Sequence, residues 1–135
     1  MIVVAIVGIL AAVAIPNFMT YQAKARQAEA KVILGGAFIA ATSVFYSEHG
    51  TFVISAITDL SFVPVGTPRY SYWFDVNGTP TAIPGGSTAT SPCNVNSSPA
   101  GVLSSGAAFT AGTKGNIDAD STCDEWLVND SKILV

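Results

Sequence analysis

Very few side chains in this sequence are spaced to do chemistry together. Its 135 residues carry nine acidic and six basic groups, one histidine and two cysteines. The densest group is Asn116-Ile117-Asp118-Ala119-Asp120-Ser121-Thr122-Cys123-Asp124, in which oxygen-bearing side chains alternate. Such alternation suits Ca²⁺, which takes six to eight oxygen ligands, and Asn116, Asp118, Asp120 and Asp124 would be the donors. The EF-hand pattern fails, with Ser121 where glycine is needed and Leu127 where a bidentate glutamate belongs. The competing reading is an Asx-rich turn with solvated charges. No other cofactor is expected.

The two cysteines, Cys93 and Cys123, stand in Ser/Thr/Gly-rich surroundings. An even count in a chain with an export-like start suggests one disulfide and an oxidising compartment. Closing that loop would stabilise the fold by roughly 3–4 kcal/mol. Two unrelated free thiols are the alternative. A metal site on these thiols is disfavoured against the disulfide, because His49 is the single histidine and there is no third thiol. His49 stands at an expected helix end, where it caps carbonyls more readily than it acts as a base. There is no Gly-rich phosphate loop and no nucleophile motif, so the sequence does not read as an enzyme.

Half of the chain is hydrophobic, only 11% is charged, and the net charge is -3. Lys24, Arg26, Lys31, Arg69, Lys114 and Lys132 are scattered. Nucleic-acid binding as a main task needs clustered cations for phosphate neutralisation, and no basic stripe exists.

The elements that must position these groups begin with MIVVAIVGILAAVAIPNF. Nothing from Met1 to Pro16 is charged, Asn17 is the first polar side chain and Lys24 the first full charge. The run needs a bilayer, a cleavage step or a protein partner. A signal peptide would carry a basic start. A membrane span wants about 20 apolar residues, and sixteen helical residues rise only ~24 Å. The helical pattern then simply continues. Phe18, Tyr21, Ala25, Ala28 and Val32 recur at three- and four-residue steps. From Val32 to Tyr46 the helix is apolar on nearly every side, interrupted by Gly35, Gly36, Thr42 and Ser43. Its end is expected at Glu48-His49-Gly50, with Gly50 left-handed. A rod of about 70 Å results, whose first half must find partners outside its own domain. Pro16 removes one hydrogen bond within it and crowds the Ala12 carbonyl, so a kink is expected there. Gly35 and Gly36 permit close approach of the sheet or of a neighbouring helix.

Beyond Phe52 the pattern changes to strands and turns. ITDLSFVP connects, ended by Pro64, and RYSYWFDV reads as a strand leading to an Asn77-Gly78 hairpin turn. Thr79 to Ile83 would return, kept at an edge by Pro80. Gly85 to Gly106 reads as a long loop pinned at Cys93, Ala107 to Ala111 as a strand, and Lys114-Gly115-Asn116 as a turn. Glu125 to Val128 is a further strand and Ile133 to Val135 a short last one. Trp73, Phe74 and Trp126 are expected in or beside the sheet core. Core packing is also the reading for Phe18, Tyr21, Phe38, Phe45 and Tyr46. The class is α+β: a long N-terminal helix packed on a small antiparallel sheet.

MIVVAIVGILAAVAIPNF resembles the N-terminal helix of type IV pilins and the related pseudopilins. QAEAKVILGGAFIAATSVFYSEHGTF, the Arg69-Tyr70-Ser71-Tyr72 strand and FTAGTKGNIDADSTCDEWLV are similar to pilins of myxobacteria and related delta-proteobacteria. The family's mature proteins begin with a methylated Phe and Thr-Leu-Ile-Glu-Leu, and this sequence opens at the stretch that follows. The resemblance implies residues 1–23 as membrane and filament-core helix, 24–50 as the half packed on the head, and 51–135 as a β-rich head. It implies a filament core of Met1, Ile2, Val3, Val4, Ala5, Ile6, Val7, Gly8, Ile9, Leu10, Ala11, Ala12, Val13, Ala14, Ile15 and Pro16. The stretch around Gly8, Ala11, Ala12 and Pro16 is expected to unwind on assembly. The function implied is the structural subunit of an extracellular type IV pilus, for adhesion, twitching motility and DNA uptake. Its partners would be its own copies, the inner membrane before assembly, and the pilus assembly machinery. A type II secretion pseudopilin is the nearest alternative; a membrane-anchored binding module is another.

Overall fold

Residues without competing side-chain hydrogen bonds propagate a helix until something stops them, and here nothing does for 38 residues. In the computed structural model, which describes Met1 to Val135, helix α1 spans Ile2–Ile39 and runs through Pro16. The Thr20 hydroxyl donates to the Pro16 carbonyl at 3.0 Å. From Ala40 to Phe45 the backbone widens to a π-helical segment, and α2, Tyr46–His49, completes the rod. The Thr42 hydroxyl bonds back to the Phe38 carbonyl at 2.8 Å at the start of that segment. Such back-bonding loosens the ordinary helical ladder. Gly50, at φ 67°, ends the rod as expected, its N–H donating to the Tyr46 carbonyl at 2.8 Å.

The sheet forms around β1 (Tyr70–Val76) and β4 (Phe109–Gly115), antiparallel with Tyr70 opposite Gly115. Strand β2 (Thr79–Ala82) returns beside β1 through Asn77 and Gly78, with Val76 opposite Thr79. Both turn residues have positive φ, 51° and 82°, the two-residue turn whose twist matches the strands. Pro80 sits in this edge strand. On the far side β5 (Asp124–Asn129) pairs with β4, while β3 (Leu103–Ser104) pairs with Phe109 and Thr110 on the same side of β4 as β1. The chain end lies along β5, where Leu127 and Val135 exchange backbone hydrogen bonds of 2.8 and 3.0 Å. The β5 edge is thereby covered by the chain end, while the outer edge of β2 is blunted by Pro80.

Two expectations are corrected and one is extended. Strand β4 does not turn at Lys114-Gly115-Asn116 but continues through Lys114 and Gly115, because β1 and β5 pair with it from both sides there. The Tyr70 ring also fills the space a Gly115 side chain would need. The Gly85–Gly106 loop, pinned at Cys93 as expected, also packs on the sheet as a third layer. Cys93, Val95 and Val102 are buried in it, and the Ser71 hydroxyl donates to the Val95 carbonyl at 2.6 Å. Tyr70 to Asp75 are consequently buried on both faces of β1. Finally, Phe18 and Tyr21 belong to no core: they are 67% and 70% exposed.

The core lies between rod and sheet. Leu34, Ala37, Ala41 and Phe45 pack on Phe52, Ile54, Leu60, Phe74 and Val128. Phe109 is the hub, with ring centroids 6.0, 4.9 and 5.4 Å from Phe38, Phe52 and Phe74. Of Gly35 and Gly36 only Gly36 makes a close approach, under the Phe62 ring; Gly35 faces open space. Trp73 and Phe74 are buried and Trp126 is half-buried.

Tyr70 and Tyr72 are fully buried, and burial holds both phenols well above their ordinary ionisation range. The carboxylate of Asp124, accepting from the Tyr70 hydroxyl at 2.7 Å, adds to this for Tyr70, and Glu29 adds to it for Tyr72. Acids that resist ionisation in the folded state stabilise it fully below their unfolded pKa of about 10 and less at each step above it. Each phenol should withdraw about 1.4 kcal/mol per pH unit above that point. A melting-temperature series across alkaline pH should therefore fall from near pH 10, and Tyr72→Phe should flatten the fall.

Candidate functional site

The rod divides at its first charges. Between Met1 and Gln22 only Ala11 is even partly covered; every other residue is exposed. Val4 and Ile9, at 76% and 69% exposure, are typical. Covering one large aliphatic side chain is worth about 1.5–3 kcal/mol, so this surface does not stay in water. By length and composition the helix could cross a bilayer. Gly8, Ala11, Ala12 and Pro16 are all helical here, and Gly8 has open space around it.

Past Ala23 the rod is clasped to the head by its charges. Arg26 donates to the Ile117 carbonyl. Glu29 accepts from the Arg69 backbone N–H at 2.9 Å, and Lys31 places its ammonium 4.1 Å over the Trp126 ring. This clasp escaped the sequence reading. Its one sequence signal is that Arg26, Glu29 and Lys31 fall together with Lys24, where the first charges of the rod appear.

The remaining candidate groups behave as structure. Cys93 and Cys123 are joined, with Cα atoms 5.5 Å apart, tying the third layer to the segment before β5. The proposed calcium ligands are not gathered. Asn116 accepts from Ala119 N–H at 2.6 Å and donates to the Asp120 carbonyl at 2.7 Å. Asp120 accepts from Thr122 N–H at 2.7 Å. Asp124 turns inward to the Tyr70 hydroxyl and the Trp126 indole N–H, both at 2.7 Å. Backbone N–H groups thus take one oxygen each of Asn116 and Asp120, side chains take Asp124, and no three His, Cys, Asp or Glu side chains are grouped to hold a metal. His49 stacks on Phe45 at 4.3 Å, its Nδ1 3.1 Å from the Phe45 carbonyl.

No protein-family model matches the chain. It is 32% identical to the type IV major pilin protein PilA of Myxococcus xanthus (strain DK1622), over 170 aligned positions covering 95% of this chain and 75% of the relative. That span takes in rod and head together. The chain belongs to the type IV pilin family. Pilins are structural proteins, and the rod on a disulfide-tied sheet is the pilin fold. For this pilin, replacing Cys93 and Cys123 by serine should lower stability by roughly 3–4 kcal/mol, from the 30-residue separation of the pair. A shifted urea midpoint with unchanged helix content would register it.

Proposed function

We propose that this pilin is the main subunit of an extracellular pilus, polymerising through its N-terminal helices. The observation that carries the reading is the uncovered apolar surface from Met1 to Gln22. Before assembly the rod is held in the inner membrane. Assembly machinery lifts it out of lipid, and it is covered by the same helix from neighbouring copies. Lipid and a helix bundle are about equally apolar, so close packing must supply the preference. The near balance suits a fibre that can be built and taken down, serving surface attachment, twitching motility and DNA uptake. Residues 1–23 would form the core, 24–50 the collar joined to the head, and 51–135 the outer face.

Gly8 and Pro16 weaken the ladder between them, and in this reading the segment from Ala11 to Ile15 becomes extended in the fibre. The experiment shears surface material from the cells, images it and identifies the repeating chain. Filaments made mainly of this chain support the proposal. Membrane-bound monomer alone would refute it, and unbroken helix from Ala11 to Ile15 in the fibre would refute the unwinding.

A further inference from the structure

The chain has six asparagines: Asn17, Asn77, Asn94, Asn96, Asn116 and Asn129. Four of them hold their side-chain amides in hydrogen bonds. Asn94 accepts from Asn96 N–H, Asn96 donates to Thr88, Asn116 does both within its loop, and Asn129 accepts from Ile133 N–H. Asn17 lies within α1 and is followed by Phe18. Asn77 alone is exposed at a hairpin tip, makes no side-chain hydrogen bond and is followed by glycine. No atom outside its neighbours lies within 4 Å of the point where a Gly78 side chain would begin.

We infer that Asn77-Gly78 is a site of spontaneous, water-dependent amide loss that marks the age of the subunit. The Gly78 backbone nitrogen attacks the Asn77 side-chain carbon and a cyclic imide closes. The bond to Nδ2 breaks, and ammonia leaves carrying the displaced proton. Water then opens the ring at either carbonyl, giving aspartate or isoaspartate. Nothing is oxidised or reduced. Glycine matters because the attacking nitrogen carries no side chain beside it.

The folded turn slows the step, since Asn77 is held at φ 51° and must leave that conformation to cyclise. The restraint is weak. Strand β2 has four residues, lies at an edge and contains Pro80, which donates no ladder bond. Short edge elements open locally at small cost. The product makes the opening permanent: isoaspartate inserts a methylene into a two-residue turn whose geometry sets the β1–β2 register, and it adds a negative charge.

The test ages the full disulfide-bonded chain in detergent at neutral and mildly alkaline pH. Samples are peptide-mapped by mass spectrometry and probed with isoaspartyl methyltransferase. Asn77 should lose its amide before any other asparagine, faster at the higher pH, with isoaspartate as the main product. Hydrogen exchange should then quicken across Thr79–Ala82, and Asn77→Gly, which keeps a turn of the same class, should show no such ageing. An Asn77 amide as durable as that of Asn96 would overturn the inference. So would aspartate without isoaspartate, or a sugar mass on Asn77 within the Asn77-Gly78-Thr79 sequon.

Discussion

Val7→Asp should abolish the fibre and leave the head folded. Val7 lies in the uncovered part of α1, so the aspartate costs the isolated subunit no packing. In lipid the same group costs about 2.5–3.5 kcal/mol at a helix centre. Buried between helices without a cation it is at least as unfavourable. The penalty recurs in every copy, so polymerisation should fail rather than weaken. Counting fibres in sheared material, with urea unfolding of the purified chain as the check on the head, reads both outcomes. Val7→Leu should keep the fibres. Wild-type fibre numbers from Val7→Asp would mean that this surface is not covered in the polymer.

Phe109→Ala should be the most damaging change inside the head. The ring is 1% exposed and touches the aromatic rings of Phe38, Phe52 and Phe74. It thus joins the rod, the segment after it and β1 at one point. Removing a buried phenylalanine typically costs about 3–5 kcal/mol through lost transfer energy and the cavity left behind. For a head of this size that lowers the melting temperature on the order of 15–25 °C. A loss below about 1 kcal/mol would show that the site collapses freely and that Phe109 is no hub.

The rod was legible because it depends on what is missing. No charge stands between Met1 and Ala23 and no effective breaker before the glycine at position 50, and Gly50 supplies the one conformation that stops the helix. The Asn77-Gly78 turn was legible because its positive φ values restrict the residue types allowed. The π-helical segment was not, since Ala40–Phe45 are ordinary helix residues and the widening is set by packing and by hydroxyls bonding back. Strand β4 outran its expected turn because pairing on both sides overrides the local preference of Lys114-Gly115. The third layer was hidden by composition. Ser, Thr, Gly and Pro from Gly85 to Gly106 look solvent-facing, and only Cys93, Val95 and Val102 betray the buried side. The acidic loop is rich in oxygens, but Asn116 and Asp120 accept from nearby backbone N–H groups and Asp124 from Tyr70 and Trp126, partners that spacing alone does not reveal.

The most direct test of the whole account is a three-dimensional density map of the sheared fibre, traced with this chain. The segment from Met1 to Ile15 should lie on the filament axis, enclosed by the same segment of other copies, with residues 51–135 outside. A map in which these residues face solvent, or in which the heads meet at the centre, would contradict it.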